Sequence, residues 1–178
     1  MTLFRNKYRV ESIRKPNWDY ATPSLYFVTI CTHEMRMYFG MVVNSEMKLS
    51  TIGRYAERHW REIPNHFKNV SLDEFVVMPN HLHGIIKLSG TWEPKLGRND
   101  VKKSLFQVSP KSGSLSHIIR CYKGGLTYWC REQGLKFAWK TGFHDRIILG
   151  PKSLKAVREY IRDNPANWGK DKENPERA

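Results

Sequence analysis

His81-Leu82-His83 is the segment of this chain whose residue types and spacing best suit chemistry. In an extended strand residues i and i+2 point to the same face, so the two imidazoles would project side by side. Two neutral imidazoles and one further oxygen or nitrogen donor can hold a divalent ion with positions left open for a phosphate. Paired histidines on a strand face are also ordinary polar surface, so the pair needs a reactive partner before it reads as a site. Position 85 is Ile, which rules out the alternating three-histidine pattern of the histidine-triad nucleotide hydrolases.

Tyr160 and Asn164 are four residues apart in a segment with helical periodicity, hence on one face. Leu154, Val157 and Ile161 form the apolar stripe of that helix, and Tyr160 lies beside the stripe, where it can reach past a sheet edge. A phenolic oxygen is a competent nucleophile on phosphorus when a metal polarises the phosphate, and it leaves a covalent phosphotyrosine. The same tyrosine also fits a packing role with its hydroxyl in water. Tyr122 and Tyr128 are rivals on another helix. Leu126 follows Tyr122 by four and Glu132 follows Tyr128 by four, so only Tyr128 has an acidic companion. His144-Asp145 fits a substrate or outer contact or a structural hydrogen bond equally well.

The elements that must position these residues are legible in the hydrophobic pattern. Ser24 to Thr32 (SLYFVTICT) reads as a strand buried on both faces, and MYFGMVVNSEMKLS as two strands turning at Asn44-Ser45. Ile52, Tyr55, Ala56, His59, Trp60 and Ile63 recur at helical spacing, with Ser50 and Thr51 as candidate caps and Pro64 as a stop. LDEFVVM (72–78) and HLHGIIKL (81–88) read as strands about Pro79-Asn80. Ser114 caps a helix with an apolar stripe from Leu115 to Cys130, weakened at Gly124-Gly125. FHDRIIL supplies one more strand, and a last helix follows Gly150-Pro151, capped by Ser153 and ended by Pro165. Helices packed on one mostly antiparallel sheet, an α+β design, fit this order. Residues 1–23 read as a basic arm, 24–168 as one domain with a mobile basic loop at 89–113, and 169–178 as a charged disordered tail.

The 178 residues hold 30 Lys+Arg against 17 Asp+Glu, a formal charge of +13, and are 40% hydrophobic. That is apolar material for one core, in a chain too short for an eight-stranded (β/α) barrel of roughly 200 residues or more. No run approaches the roughly 20 apolar residues that span a bilayer, so a cytoplasmic protein is expected. Cys31, Cys121 and Cys130 form no CxxC pair and read as buried thiols. The positive surplus points to a polyanionic partner.

IRKPNWDY, SLYFVTICTHEMRMYFG, LDEFVVMPNHLHGII, SHIIRCYKGGLT, WKTGFHDRII and REYIRDNPANW occur in this order over about residues 5 to 170. Together they resemble the REP-associated tyrosine transposases, a bacterial branch of the single-tyrosine HUH transposases. The most specific part is VVMPNHLHGII followed some seventy residues later by YIRDNP. The resemblance implies that His81 and His83 bind a divalent metal, Mg²⁺ or Mn²⁺, with Asn164 as third ligand, and that Tyr160 is the nucleophile. It implies a ferredoxin or RRM-like sheet with the histidines on a central strand. It further implies cleavage and rejoining of single-stranded DNA at repetitive-palindrome hairpins, by a monomer or a homodimer, through a 5′-phosphotyrosine. A non-catalytic hairpin-binding protein on the same fold is the alternative. For the phosphate track the expected residues are Arg5, Lys7, Arg9, Arg14 and Lys15 in the arm, Lys102, Lys103 and Lys111 in the loop, and Arg120 and Lys123 on the helix. Trp18, Tyr20 and Trp92 are candidate base-stacking platforms.

Overall fold

The structure, a computed structural model, describes residues 18–90, 111–175 and 177, and the backbone alone at 3–4 and 8–9. In chain order, β1 (Leu3–Phe4) and β2 (Tyr8–Arg9) pair antiparallel, and β3 (Ser24–Cys31) leads to a 3₁₀ turn at His33–Met35. β4 (Gly40–Val43) and β5 (Glu46–Leu49) form a hairpin whose Asn44 and Ser45 both take positive φ, as a tight two-residue turn demands. Then come α1 (Thr51–Arg61), α2 (Ile63–His66), β6 (Val70–Val77), β7 (His81–Leu88), α3 (Leu115–Glu132), β8 (His144–Ile148) and α4 (Pro151–Asp163). The expected arm residues Arg5, Lys7, Arg14 and Lys15, and Trp92, Lys102 and Lys103 of the loop, lie outside the described residues.

Four strands make the main sheet in the order β6-β7-β3-β8, every neighbour antiparallel. Leaving out the β4–β5 hairpin and the short α2, the succession β3-α1-β6-β7-α3-β8 is a βαββαβ unit. Alternation in the strands assigns the two faces. Tyr26, Val28 and Ile30 of β3 and Leu82 and Ile86 of β7 join Ala56 and Trp60 of α1 and Ile118, Tyr122 and Leu126 of α3 in the larger core. Phe27 of β3, Ile85 of β7 and Ile148 of β8 face the other way, onto Val157 and Ile161 of α4. The histidines share that second face with α4.

Trp60 packs flat enough on β7 that Gly84 is required: a Cβ there would come within 2.5 Å of Trp60 Cζ2, and the indole is fully buried. Gly84→Ala is therefore expected to cost about 1–3 kcal/mol, read as a lower denaturant midpoint at unchanged slope. Gly125 has a similar reason, since a Cβ would lie 2.4 Å from His59 Nε2 across the α1–α3 contact. The helix runs through Gly124-Gly125 without a break.

Three expectations are corrected. Ser153 does not cap α4: the helix begins at Pro151, whose fixed φ suits the first turn, behind Gly150 at φ 85°. Cys121 is exposed, one residue off the buried stripe that holds Tyr122, whereas Cys31 and Cys130 are buried. Within the expected disordered tail, the described residues up to 175 are packed: a 3₁₀ turn spans Trp168–Lys170, and Asp171 and Asn174 are buried. No helix among the described residues is long and apolar enough to cross a membrane.

Candidate metal centre and tyrosine

β7 is an inner strand, and its first three residues carry both histidines at the end where β3 gives way to the 3₁₀ turn. His81 and His83 are 0% and 1% exposed, with ring centroids 4.4 Å apart. Thr29, opposite His83 in the β3–β7 register, brings its Oγ1 to 2.8 Å from His83 Nδ1. On the other side of that ring, Nε2 is 3.1 Å from the Tyr160 hydroxyl. The tyrosine ring stands edge-on to Phe27 and is about half exposed, as expected for a residue beside the apolar stripe of α4.

Helix α4 is held over the sheet by two ion pairs to an irregularity in β6. The β6–β7 register shifts between Leu72 and Phe75, so Asp73 and Glu74 project from a bulge. Asp73 takes a bidentate pair of hydrogen bonds from Arg158 at 2.6 and 2.8 Å, and Glu74 pairs with Arg162. These arginines flank Tyr160 by two residues on each side and fix the rotation of its helix.

The segment after Pro165 closes the site. Trp168 lies over His81 at 6.0 Å between ring centroids, and Asp171 Oδ2 is 4.0 Å from His81 Nε2. Ligand atoms of His81, His83 and Asp171 all lie within 4.8 Å of one another. Asn164 is 2% exposed, and its side chain lies near enough to the Tyr160 hydroxyl to oppose the rise of the phenol's pKa. His81 Nε2 and Asn164 Oδ1 are buried without a hydrogen-bond partner, and lone pairs left this way are what a cation satisfies. Two imidazoles and a carboxylate could form a mixed nitrogen and oxygen donor set for a divalent ion, of the kind Mn²⁺ accepts more readily than Mg²⁺.

Burial keeps both rings neutral. It pulls His81 down to about 4 against the opposing attraction of Asp171, and it pulls His83 well below the usual imidazole range, with His81 adding to the effect. The nitrogen lone pairs thus stay available for a metal well into mild acid. The same depression affects stability. Unfolded imidazoles take up protons near pH 6.5 while the folded His81 resists until about 4, so the unfolded state binds more protons between these values and stability falls with pH. His81 alone is expected to remove about 2 kcal/mol between pH 7 and pH 5, and His83 acts in the same direction. Urea unfolding of the metal-free protein at the two pH values measures this.

The rival tyrosines are placed elsewhere. Tyr122 is buried in the layer behind the sheet, donates to Ala56 O at 3.1 Å, and is pushed up by burial. Tyr128 is exposed on α3 under Arg131. His144 is exposed opposite Thr29 at the start of β8. Of the expected phosphate contacts, Lys111 pairs with Asp19 at 2.8 Å, and Arg120 and Lys123 belong to the layer behind the sheet. The Lys123 ammonium is engaged by the carbonyls of Lys140 and Gly142. Tyr20 is buried in the core and Trp18 donates to the Tyr26 hydroxyl, so Tyr20 offers no stacking platform. Sequence reasoning missed the cations that do line the cleft beside Tyr160, a space of about 1010 Å³: Arg146, Lys152, Lys170, Lys172 and Arg177.

The chain is 36% identical over 165 residues to an uncharacterized protein of Haemophilus influenzae, a match that covers 90% of each. It belongs to the same family as that protein. No family model matches the chain. Among solved structures it is similar to a REP-associated tyrosine transposase bound to a REP hairpin, with a TM-score of 0.57 and 20% identity over 84% of this chain and 71% of that one. At that identity the similarity establishes a shared fold.

Proposed function

We propose that this chain is a metal-dependent, single-tyrosine DNA strand transferase of the REP-associated type, acting on single-stranded hairpin DNA. One observation carries the reading: a half-exposed phenol lies 3.1 Å from a buried histidine of a His81–His83–Asp171 cluster, at the wall of a cation-lined cleft. The fold supports it. The βαββαβ unit with strand order β6-β7-β3-β8 is consistent with the ferredoxin or RRM-like arrangement, and the solved structure that shares the fold is a transposase with a hairpin bound.

Each group then has a task. His81, His83 and Asp171 would hold a divalent cation with Asn164 beside them, and such a cation would supply charge stabilisation at the phosphate. Thr29 keeps the His83 ring oriented. Phe27 and the Asp73–Arg158 and Glu74–Arg162 pairs aim Tyr160. Its oxygen forms the new bond to phosphorus, the bond from phosphorus to the 3′ oxygen breaks, the phenolic proton is lost, and the departing oxygen takes a proton to become a 3′-hydroxyl. Attack by that hydroxyl, or by another strand's, on the phosphotyrosine reverses the exchange and rejoins DNA. Arg146, Lys152, Lys170, Lys172 and Arg177 carry the strand along the cleft. The arm and the 89–113 loop add further phosphate contacts in this scheme. The catalytic unit runs from 24 to about 175, because Asp171 belongs to it.

The test is direct. The protein is mixed with a hairpin oligonucleotide carrying a single-stranded flank and with Mn²⁺, and a covalent protein–DNA adduct is sought after denaturing electrophoresis. An adduct together with a free 3′-hydroxyl on the released piece supports the enzyme. Tight hairpin binding with no adduct at any metal concentration supports a pure binding protein.

A further inference from the structure

Asn80, between Pro79 and His81, is fully buried and makes three side-chain hydrogen bonds. Its Nδ2 lies 3.1 Å from Met35 O and 2.7 Å from Glu173 O, and its Oδ1 lies 2.8 Å from His81 Nδ1. Two backbone carbonyls can only accept, so the atom facing them is the NH₂, which has two N–H bonds to give. The amide is thereby oriented by its partners and presents its oxygen to His81. An amide oxygen can only accept, so His81 Nδ1 carries the proton. In a neutral imidazole the lone pair is then on Nε2, the buried atom with no partner among the described groups.

The second arm of the same amide leads round to the carboxylate. Glu173, whose carbonyl Asn80 holds, donates its own N–H to Asp171 Oδ1 at 2.7 Å. Asp171 Oδ2 lies 4.0 Å from His81 Nε2. The hydrogen bonds therefore run from one nitrogen of the imidazole, through Asn80 and Glu173, to the carboxylate that faces its other nitrogen.

We propose that Asn80 is the positioning residue of the metal centre: it fixes the His81 tautomer that bares Nε2 and, through Glu173, sets Asp171 opposite that nitrogen. The inference rests on the reading that His81, His83 and Asp171 hold a cation, but half of its test needs no metal. In metal-free protein with ¹⁵N-labelled histidine, His81 is expected to show a protonated Nδ1 and a bare Nε2; the opposite tautomer overturns the proposal. Asn80→Asp keeps an acceptor toward His81 and loses both donors. It is expected to retain the tautomer while amide exchange at 171–174 speeds up, and unchanged exchange refutes the link to Asp171. With Mn²⁺ as the probe, Asn80→Ala is expected to bind about 10- to 100-fold more weakly than wild type, the usual cost of losing a partner behind a metal ligand. An affinity within twofold of wild type refutes the role. A wild-type protein that binds no Mn²⁺ would defeat the metal reading and leave the tautomer result standing on its own.

Discussion

Tyr160→Phe is expected to abolish the covalent adduct, a loss on the order of 10³ or more in rate, while hairpin and Mn²⁺ affinities stay within about twofold. Only the hydroxyl is removed. The ring keeps its edge-on contact with Phe27, and the Asp73–Arg158 and Glu74–Arg162 pairs still hold α4 on the β6 bulge. The lost bond to His83 Nε2 costs about 1 kcal/mol at a half-exposed position, too little to unfold the domain. Tyr128→Phe is the control, since Tyr128 is exposed on α3 in the layer behind the sheet. An adduct that survives in Tyr160→Phe and vanishes in Tyr128→Phe would transfer the role. Burial, and after it the negative charge of Asp171, raises the Tyr160 pKa above its ordinary value, with Asn164 opposing. If the tyrosinate is the attacking form, adduct formation by the wild type should climb by up to about tenfold per pH unit between pH 6.5 and 8.5.

How much of this arrangement the sequence carried differs from residue to residue. The histidine pair was legible because period-2 alternation is a local rule: once 81–88 is a strand, His81 and His83 must share a face. Tyr160 and Asn164 were legible for the same kind of reason at helical period. The layer class followed from the order of elements, but the strand order β6-β7-β3-β8 depends on long-range pairing that only the family resemblance could suggest. Asp171 was not legible at all. It lies six residues past Pro165, in a charged stretch with no periodicity, ninety residues from His81, and composition there says solvent. Its one local signal is Trp168, an aromatic too large to leave in water at the head of a supposed tail. The cleft cations were missed for a related reason. Charge runs drew attention to the loop and the arm, whereas Arg146, Lys152, Lys170, Lys172 and Arg177 come singly from β8, α4 and the C-terminal segment and meet only in the folded chain. Lys123 shows the converse: a lysine that reads as a phosphate contact is engaged by two carbonyls.

Removing residues 171–178 is expected to weaken Mn²⁺ binding by at least about 100-fold, which is roughly 2.7 kcal/mol. The two histidines are neutral, so Asp171 supplies the negative charge of the cluster. At a separation near 4 Å and an effective dielectric of about 20, even one pair of unit charges interacts by roughly 4 kcal/mol, and a divalent ion doubles the attraction before the cost of desolvating the carboxylate is counted. The truncation also takes away the Glu173 carbonyl that Asn80 holds and opens His81 to water. The central core does not depend on this segment: the cluster of Trp60, Tyr26, Tyr122 and Leu82 contains none of residues 171–178, so folding should persist. Asp171→Asn is the conservative partner of the deletion and keeps the shape while removing the charge. The competing assignment makes the opposite forecast. If Asn164 is the third ligand, as the family resemblance implies, Asn164→Ala should abolish Mn²⁺ binding while Asp171→Asn leaves it nearly intact. Asn164 is buried beside Tyr160 with its oxygen unpartnered, so it can serve as a fourth donor in either case. Titrating Mn²⁺ into wild type, Asp171→Asn, Asn164→Ala and the truncated chain by calorimetry therefore ranks the two donors. Equal affinity in all four proteins would remove the cation from this cluster altogether.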